Sequence, residues 1–156
     1  MIREVLLHPH PLLTRRAGPA TDPGAVVADL LDTMRAFGHC IGLAAPQIGE
    51  SVRVAVVDCT GHRKAPDAHG ELILVNPVIV AADGSEVGRE GCLSIPELTA
   101  NVRRATAITV EAQGVRVEAA GFEARVIQHE IDHLDGLLFL DRVESLEADV
   151  FERRAR

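Results

Sequence analysis

Apolar residues recur at helical spacing in the first third of the chain: Val26, Val27, Leu30, Leu31, Met34 and Phe37 fall on one side of a helix. Asp22-Pro23 precedes them, an acid that can cap free amides and a proline suited to the first helical position, and Gly38 closes the run. Val52 to Val57 and Leu72 to Val80 are rich in β-branched residues and predict strands, with Cys59 to Glu71 a polar loop between them. Ala107 to Ala112 and Val115 to Ala119 predict a hairpin turning at Gln113-Gly114. After Gly121 the pattern changes. Phe122, Val126, Ile127, Ile131 and Leu134 cover more than one helix face, which suits a helix in the interior with sheets packed around it. Gly136 is a natural stop, and Leu146 to Arg156 reads as a final surface helix. The expected architecture is α+β: antiparallel or mixed β-sheets around a buried central helix, with an N-terminal helix and a C-terminal surface helix. Residues 1–156 are expected to form a single domain.

Composition agrees and narrows the possibilities. A chain of 156 residues can bury a proper core without staples. Hydrophobic content of 47% and charged content of 25% are ordinary for a globular protein. No apolar run is long enough to span a bilayer, and the N-terminus lacks a signal-peptide pattern, so a cytoplasmic location and a monomer are expected. Three cysteines, Cys40, Cys59 and Cys92, favour a metal or free-thiol role over a disulfide framework. A net charge of −7 argues against broad nucleic-acid binding.

The chemistry concentrates at Gln128-His129-Glu130-Ile131-Asp132-His133. On a helix, His129 and His133 lie one turn apart on the same face and can reach one ion. Glu130 then stands beside it, where a carboxylate can take a proton from water. This is the grammar of a hydrolytic metal site with one protein ligand missing. The third histidine of the metzincin pattern is absent, since the matching position is Phe139. Glu144, Glu147, Asp149 and Glu152 are formally available but sit in the charged tail. Upstream, Glu90-Gly91-Cys92-Leu93-Ser94 offers Cys92, and two imidazoles plus a thiolate leave a fourth tetrahedral position open.

With Cys40-Ile41-Gly42-Leu43-Ala44-Ala45-Pro46-Gln47 added, the chain resembles the peptide deformylases from about Val5 to Asp141. Those enzymes carry a Gly-hydrophobic-Gly-hydrophobic-Ala-Ala-x-Gln loop, then Glu-Gly-Cys-Leu-Ser, then His-Glu-x-x-His. The resemblance implies an α+β fold and removal of the N-formyl group from the N-terminal formylmethionine of new polypeptides. It implies that Cys92, His129 and His133 hold one divalent ion, ferrous iron foremost, with zinc, nickel or cobalt also accepted. It makes Glu130 the base, and the Gln47 amide and Leu93 backbone N–H the donors to the oxyanion. It gives Ile41 and Gly42 the task of pairing with an extended peptide. Glu90, Phe122, Arg125 and Val126 would build the methionine pocket. An arginine at 125 suits either a stem laid along that wall with its charge in water or a plain surface position beside the helix. A C-terminal helix ending in Arg153, Arg154 and Arg156 would suit a weak ribosome contact.

Two departures stand out. Cys40 occupies the place of the motif's first glycine, a strain point if the backbone there needs positive φ. Thr99 stands near where some relatives have a basic residue facing the peptide. Both features leave room for a paralogue acting on another formamide, while Glu130 and Gln47 argue against a non-catalytic metal-binding relative. Elsewhere Arg104 and Asp132 are expected to pair beside the metal-bearing helix.

Overall fold

The computed structural model describes residues 1–153. Its elements run α1 (Gly24–Ala36), β1 (Gly42–Ala44), β2 (Val54–Asp58), β3 (Glu71–Val75), β4 (Val78–Asp83), β5 (Glu86–Cys92), β6 (Ile95–Arg104), β7 (Ala107–Ala112), β8 (Val115–Ala120), α2 (Gly121–Leu134) and β9 (Val150–Glu152). Three antiparallel three-stranded sheets result, ordered β1-β2-β3, β4-β7-β8 and β5-β6-β9.

The α2 helix is buried along most of its length, as its many-sided apolar pattern requires. Ala124, Ile127 and Ile131 pack with Val57, Leu72, Leu74, Ile108, Val110 and Val117 in one apolar cluster. A second cluster joins Leu30 and Met34 of α1 to Leu43, Val54 and Val56. A third gathers Leu13, Cys92, Ile95, Val102, Leu138 and Phe139 beneath β5 and β6. The helix stops at Gly136, where φ is +77° and a side chain would press on the Thr14 carbonyl at 2.9 Å.

Four expectations need correction. The predicted strand from Leu72 to Val80 is two strands in different sheets. Asn76 takes a left-handed φ of +51°, fixed by its side chain accepting from Ala20 N–H (2.8 Å) and donating to Ala20 C=O (3.0 Å). Pro77 follows without an N–H, so the ladder cannot continue. At α1 the cap position is Pro23 with no side-chain cap bond, so Asp22 does not serve there. All the sheet pairings are antiparallel, and the parallel option survives only as the isolated Gly18–Val52 bridge.

The C-terminal surface helix gives way to a turn and then β9, which pairs Leu98 with Glu152, Thr99 with Phe151 and Ala100 with Val150. The open edge of β6 satisfies the backbone of this segment and half-buries Val150 and Phe151. Arg154 and Arg156 lie outside the described residues. No helix among those described is long and apolar enough to cross a membrane.

Candidate metal centre

Two elements meet to make the site. On α2, His129 and His133 stand one turn apart with ring centroids separated by 5.0 Å. From the other side β5 delivers Cys92, where the register with β6 slips between Gly91 and Cys92 and the chain doubles back through Leu93 and Ser94. This bulge turns the thiol inward. One ligand atom each from Cys92, His129 and His133 all lie within 4.8 Å of one another, and all three residues are buried. Cys92 Sγ is 3.4 Å from His133 Nε2.

Glu90 sits directly below. Its Oε1 is 2.8 Å from His129 Nδ1, an arrangement that commits that nitrogen to the carboxylate and turns Nε2 toward Cys92 and His133. Arg104 donates two bonds of 2.9 Å to the same carboxylate, and Arg125 a third of 2.8 Å. Burial works to raise the Glu90 pKa, but the hydrogen bonds from Arg104 and His129 outweigh it and hold the carboxyl below its ordinary range. Arg104 also bonds Asp132, as expected, and Asp132 accepts in turn from Arg142 at 2.9 and 3.0 Å. The helix is thereby braced by a chain of alternating charge that is buried from Glu90 through Arg104 to Asp132 and reaches the surface at Arg142.

The two histidines titrate in opposite directions. Burial opposes a charge on His129, yet hydrogen bonds to Cys92 and Glu90 carry its pKa above the usual value. Burial and the adjacent His129 push His133 down.

Glu130 points into the same space. Its Oε1 is buried with no protein hydrogen-bond partner, and burial first, then the charges of Glu90 and Asp132, raise its pKa to about 7 against the pull of His129 and Arg104. Gly42 faces it: a methyl group there would come within 2.7 Å of Glu130 Oε2 and 3.0 Å of Val126 Cγ1. Gln47 lies in a short 3-10 turn after β1, where Ala44 N–H donates to its Oε1 at 3.0 Å. That bond fixes the amide, so Nε2 faces Cys92 Sγ (3.4 Å) and Ser94 Oγ (3.1 Å).

A cleft of about 360 Å³ opens over this group. Ile41, Gly42, Gln47, Leu93, Phe122 and Val126 border it, as do Cys92, His129 and Glu130, while His133 lies deeper. Two expectations about the cleft are revised. Glu90 borders it, but its carboxylate is buried and committed to Arg104, Arg125 and His129. Arg125 does not extend its charge into water. Its guanidinium is buried and donates to Glu90, to Val102 C=O (2.7 Å) and to Glu86 C=O (2.8 Å). Three acceptors tie it to β5 and β6, far away in sequence, so the lone arginine carried no local sign of its burial.

Cys40 borders the cleft without positive φ, its thiol donating to Gly42 C=O at 3.2 Å, so the feared strain is absent. Cys59 is buried in the core, and no second metal-ligating group occurs among the described residues. His62 stacks on Phe122 at 4.4 Å and His69 pairs with Glu123. Sequence reasoning overlooked Ser94, whose place inside the Glu-Gly-Cys-Leu-Ser run was the available signal. Arg142 offered none.

A thiolate and two imidazoles converging in a buried pocket, beside an unpartnered carboxylate oxygen, fit one divalent cation with an open position. The fold and this site define a metal-dependent hydrolase. The polypeptide deformylase family model matches residues 2–149. Peptide deformylase 2 of Vibrio cholerae is 39% identical, aligning with 99% of this chain and 94% of its own length. The peptide deformylase of Acidobacterium capsulatum is 42% identical, over 100% and 95%. A solved peptide deformylase from Legionella pneumophila superposes with a TM-score of 0.84 at 36% identity, covering 94% of this chain and 89% of that one. A class I type b enzyme from Acinetobacter baumannii, solved with Met-Ala-Ser bound, gives 0.80 at 34%, covering 92% and 99%. The chain belongs to the polypeptide deformylase family. It removes the N-formyl group from newly made polypeptides, a hydrolysis of the formyl amide, and the family is metal-dependent.

Proposed function

We propose that Cys92, His129 and His133 hold a single ion, ferrous iron foremost, with zinc, nickel or cobalt able to replace it. A soft thiolate beside two imidazoles suits all four. When bound, such an ion polarises the formyl oxygen and brings the pKa of water toward about 7. Glu130 accepts a proton from the attacking water as its oxygen bonds to the formyl carbon, and returns that proton to the departing amine nitrogen as the C–N bond breaks. Formate and a free amino terminus result. The observation that carries this assignment is the unpartnered Glu130 oxygen at the floor of a cleft bordered by Cys92 and His129.

Gln47 Nε2 and the Leu93 backbone N–H donate to the formyl oxygen as it gains charge. Gln47 suits this role because Ala44 already occupies its carbonyl, leaving the amino group to face the cleft. The peptide lies extended between β1 and β5, both edge strands of their sheets, and Ile41 and Gly42 pair with its backbone. Gly42 lets it approach closely. Phe122 and Val126 wall the methionine side chain. Glu90 and Arg125 act from below, holding His129 and the two strands in place.

On this reading residues 1–156 form one domain that acts as a monomer, each chain carrying its own site, in the cytoplasm where formylated chains are made. The segment expected to carry a ribosome contact as a helix is a turn followed by the strand Val150–Glu152, and Arg154 and Arg156 lie outside the described residues. Metal analysis tests the ligand assignment: one equivalent per chain in the wild type, and a loss of at most a tenth of it in Cys92→Ala, would refute it. The iron form should lose activity in air as Cys92 climbs the sulfur oxidation ladder, and the nickel form should keep it.

A further inference from the structure

The strand β9 sets Phe151 beneath Arg89 and leads Arg153 to the mouth of the cleft. Phe151 lays its ring under Arg89, whose guanidinium carbon is 4.0 Å from the ring centroid. Arg153 follows the strand, its backbone N–H donating to Glu97 C=O at 2.8 Å. Both arginines border the cleft, and both also border a shallower groove outside it. On β5, Glu90 and Cys92 are buried while Arg89 and Gly91 are exposed. Gly91 is what admits Arg153, because a methyl group there would collide with the Arg153 guanidinium.

Neither arginine meets a carboxylate among the described residues. Arg89 donates only to neutral oxygens, Asn101 Oδ1 (3.1 Å) and Thr99 Oγ1 (3.3 Å). Glu152 borders the outer groove without pairing with either. By contrast, Arg104 and Arg125 are each committed to Glu90. Two uncompensated guanidinium groups at the entrance of an acidic protein's substrate cleft are a carboxylate receptor in waiting.

We propose that Arg89 and Arg153 form a subsite for a carboxylate on the peptide, two or three residues beyond the formylated one. This deepens the function proposed above and rests on it. Arg89 lies three residues from Cys92 along β5, roughly 10 Å at the usual strand rise of about 3.3 Å per residue. An extended peptide whose formyl group reaches Cys92 passes Arg89 at that distance, after crossing the Arg153 guanidinium that packs over Gly91. Thr99, which left the peptide's side-chain preference open, accepts a bond from Arg89 and so helps hold this cation in place.

The test is kcat/KM for C-terminally amidated formyl-Met-Ala-Ser peptides and their counterparts with Asp or Lys at the second or third residue. Free-acid peptides run alongside and separate a terminal carboxylate from a side-chain one. The Asp peptides should exceed the Lys peptides by roughly fivefold at low ionic strength, as two exposed ion pairs allow. The ratio should fall toward one in 0.5 M salt (about a 4 Å screening length) and in R89Q/R153Q. R103Q, an exposed arginine paired with Glu144 outside the cleft, should leave it unchanged. Equal rates for Asp and Lys, or a ratio that survives in R89Q/R153Q, would overturn the subsite. Failure to cleave even the neutral peptide would instead overturn the reading on which it rests.

Discussion

The Glu90 carboxylate meets the His129 ring at 2.8 Å, Oε1 to Nδ1, while the same carboxylate receives Arg104 and Arg125. One buried acid thus links a histidine of the candidate metal centre to the two arginines that tie α2 to β5 and β6. Removing its charge while keeping its shape should damage both functions. Glu90→Gln should lose about 3–5 kcal/mol of stability, because two buried guanidinium groups lose their counter-charge. It should also bind metal roughly 10–100-fold more weakly. Urea unfolding and competition with a chelator read the two effects separately.

Acid should expose the same contact. Burial opposes the Glu90 charge, but the bonds from Arg104 and His129 prevail and its folded pKa lies below the unfolded value of about 4.3. Around that pH the unfolded chain binds the extra proton, so Glu90 contributes stability fully above about pH 4.3 and loses it as pH falls through the folded pKa. Urea midpoints measured from about pH 6 to pH 3 should fall in the wild type. Glu90→Gln should show a shallower fall.

Gly42 and Glu130 approach so closely that a single methyl group decides the geometry. Gly42→Ala would set a carbon 2.7 Å from Glu130 Oε2 and displace the carboxylate. Turnover should drop on the order of a hundredfold, the usual effect of misplacing a reacting group by about 1 Å. Metal content should be retained, which a combined assay of kcat and bound metal would verify.

Gln47 should matter only in the transition state. Gln47→Leu removes the donor facing the cleft and should cut kcat by about 10²–10³, with KM for formyl-Met-Ala-Ser little altered. A change confined to KM would contradict an oxyanion role.

Burial pushes the thiols of Cys40 and Cys59 up to about 12, helped by the Glu130 charge at Cys40 and the Glu123 charge at Cys59. At neutral pH their thiolate fraction is on the order of a thousandfold below that of a free cysteine. Mass spectrometry after iodoacetamide treatment should find both unmodified in the folded protein and alkylated in urea.

Periodic features were legible in the sequence because their causes are local. The α1 stripe, the hairpin at Gln113-Gly114 and the His-Glu-x-x-His spacing each declare themselves within a few turns or strand residues. Features set by partners distant in sequence were not. Val150 and Phe151 become a strand because β6 has a free edge, and the charged residues around them read locally as a helix. Arg125 is buried by acceptors at positions 86, 90 and 102. The division at Asn76 depends on Ala20, 56 residues away in the chain. At the site, the grouping of Cys92, His129 and His133 could be read from motifs, whereas the place of Glu90 as the hub of two arginines required the fold.

Formate release from formyl-Met-Ala-Ser by anaerobically prepared protein, loaded with ferrous iron or nickel, tests the central claim most directly. Glu130→Gln, loaded with the same metal to the same content, provides the comparison. Rapid release by the wild type and its near abolition in the variant are the expected result. Equal release by both proteins would contradict the role given to Glu130, and no release from either would contradict the activity itself.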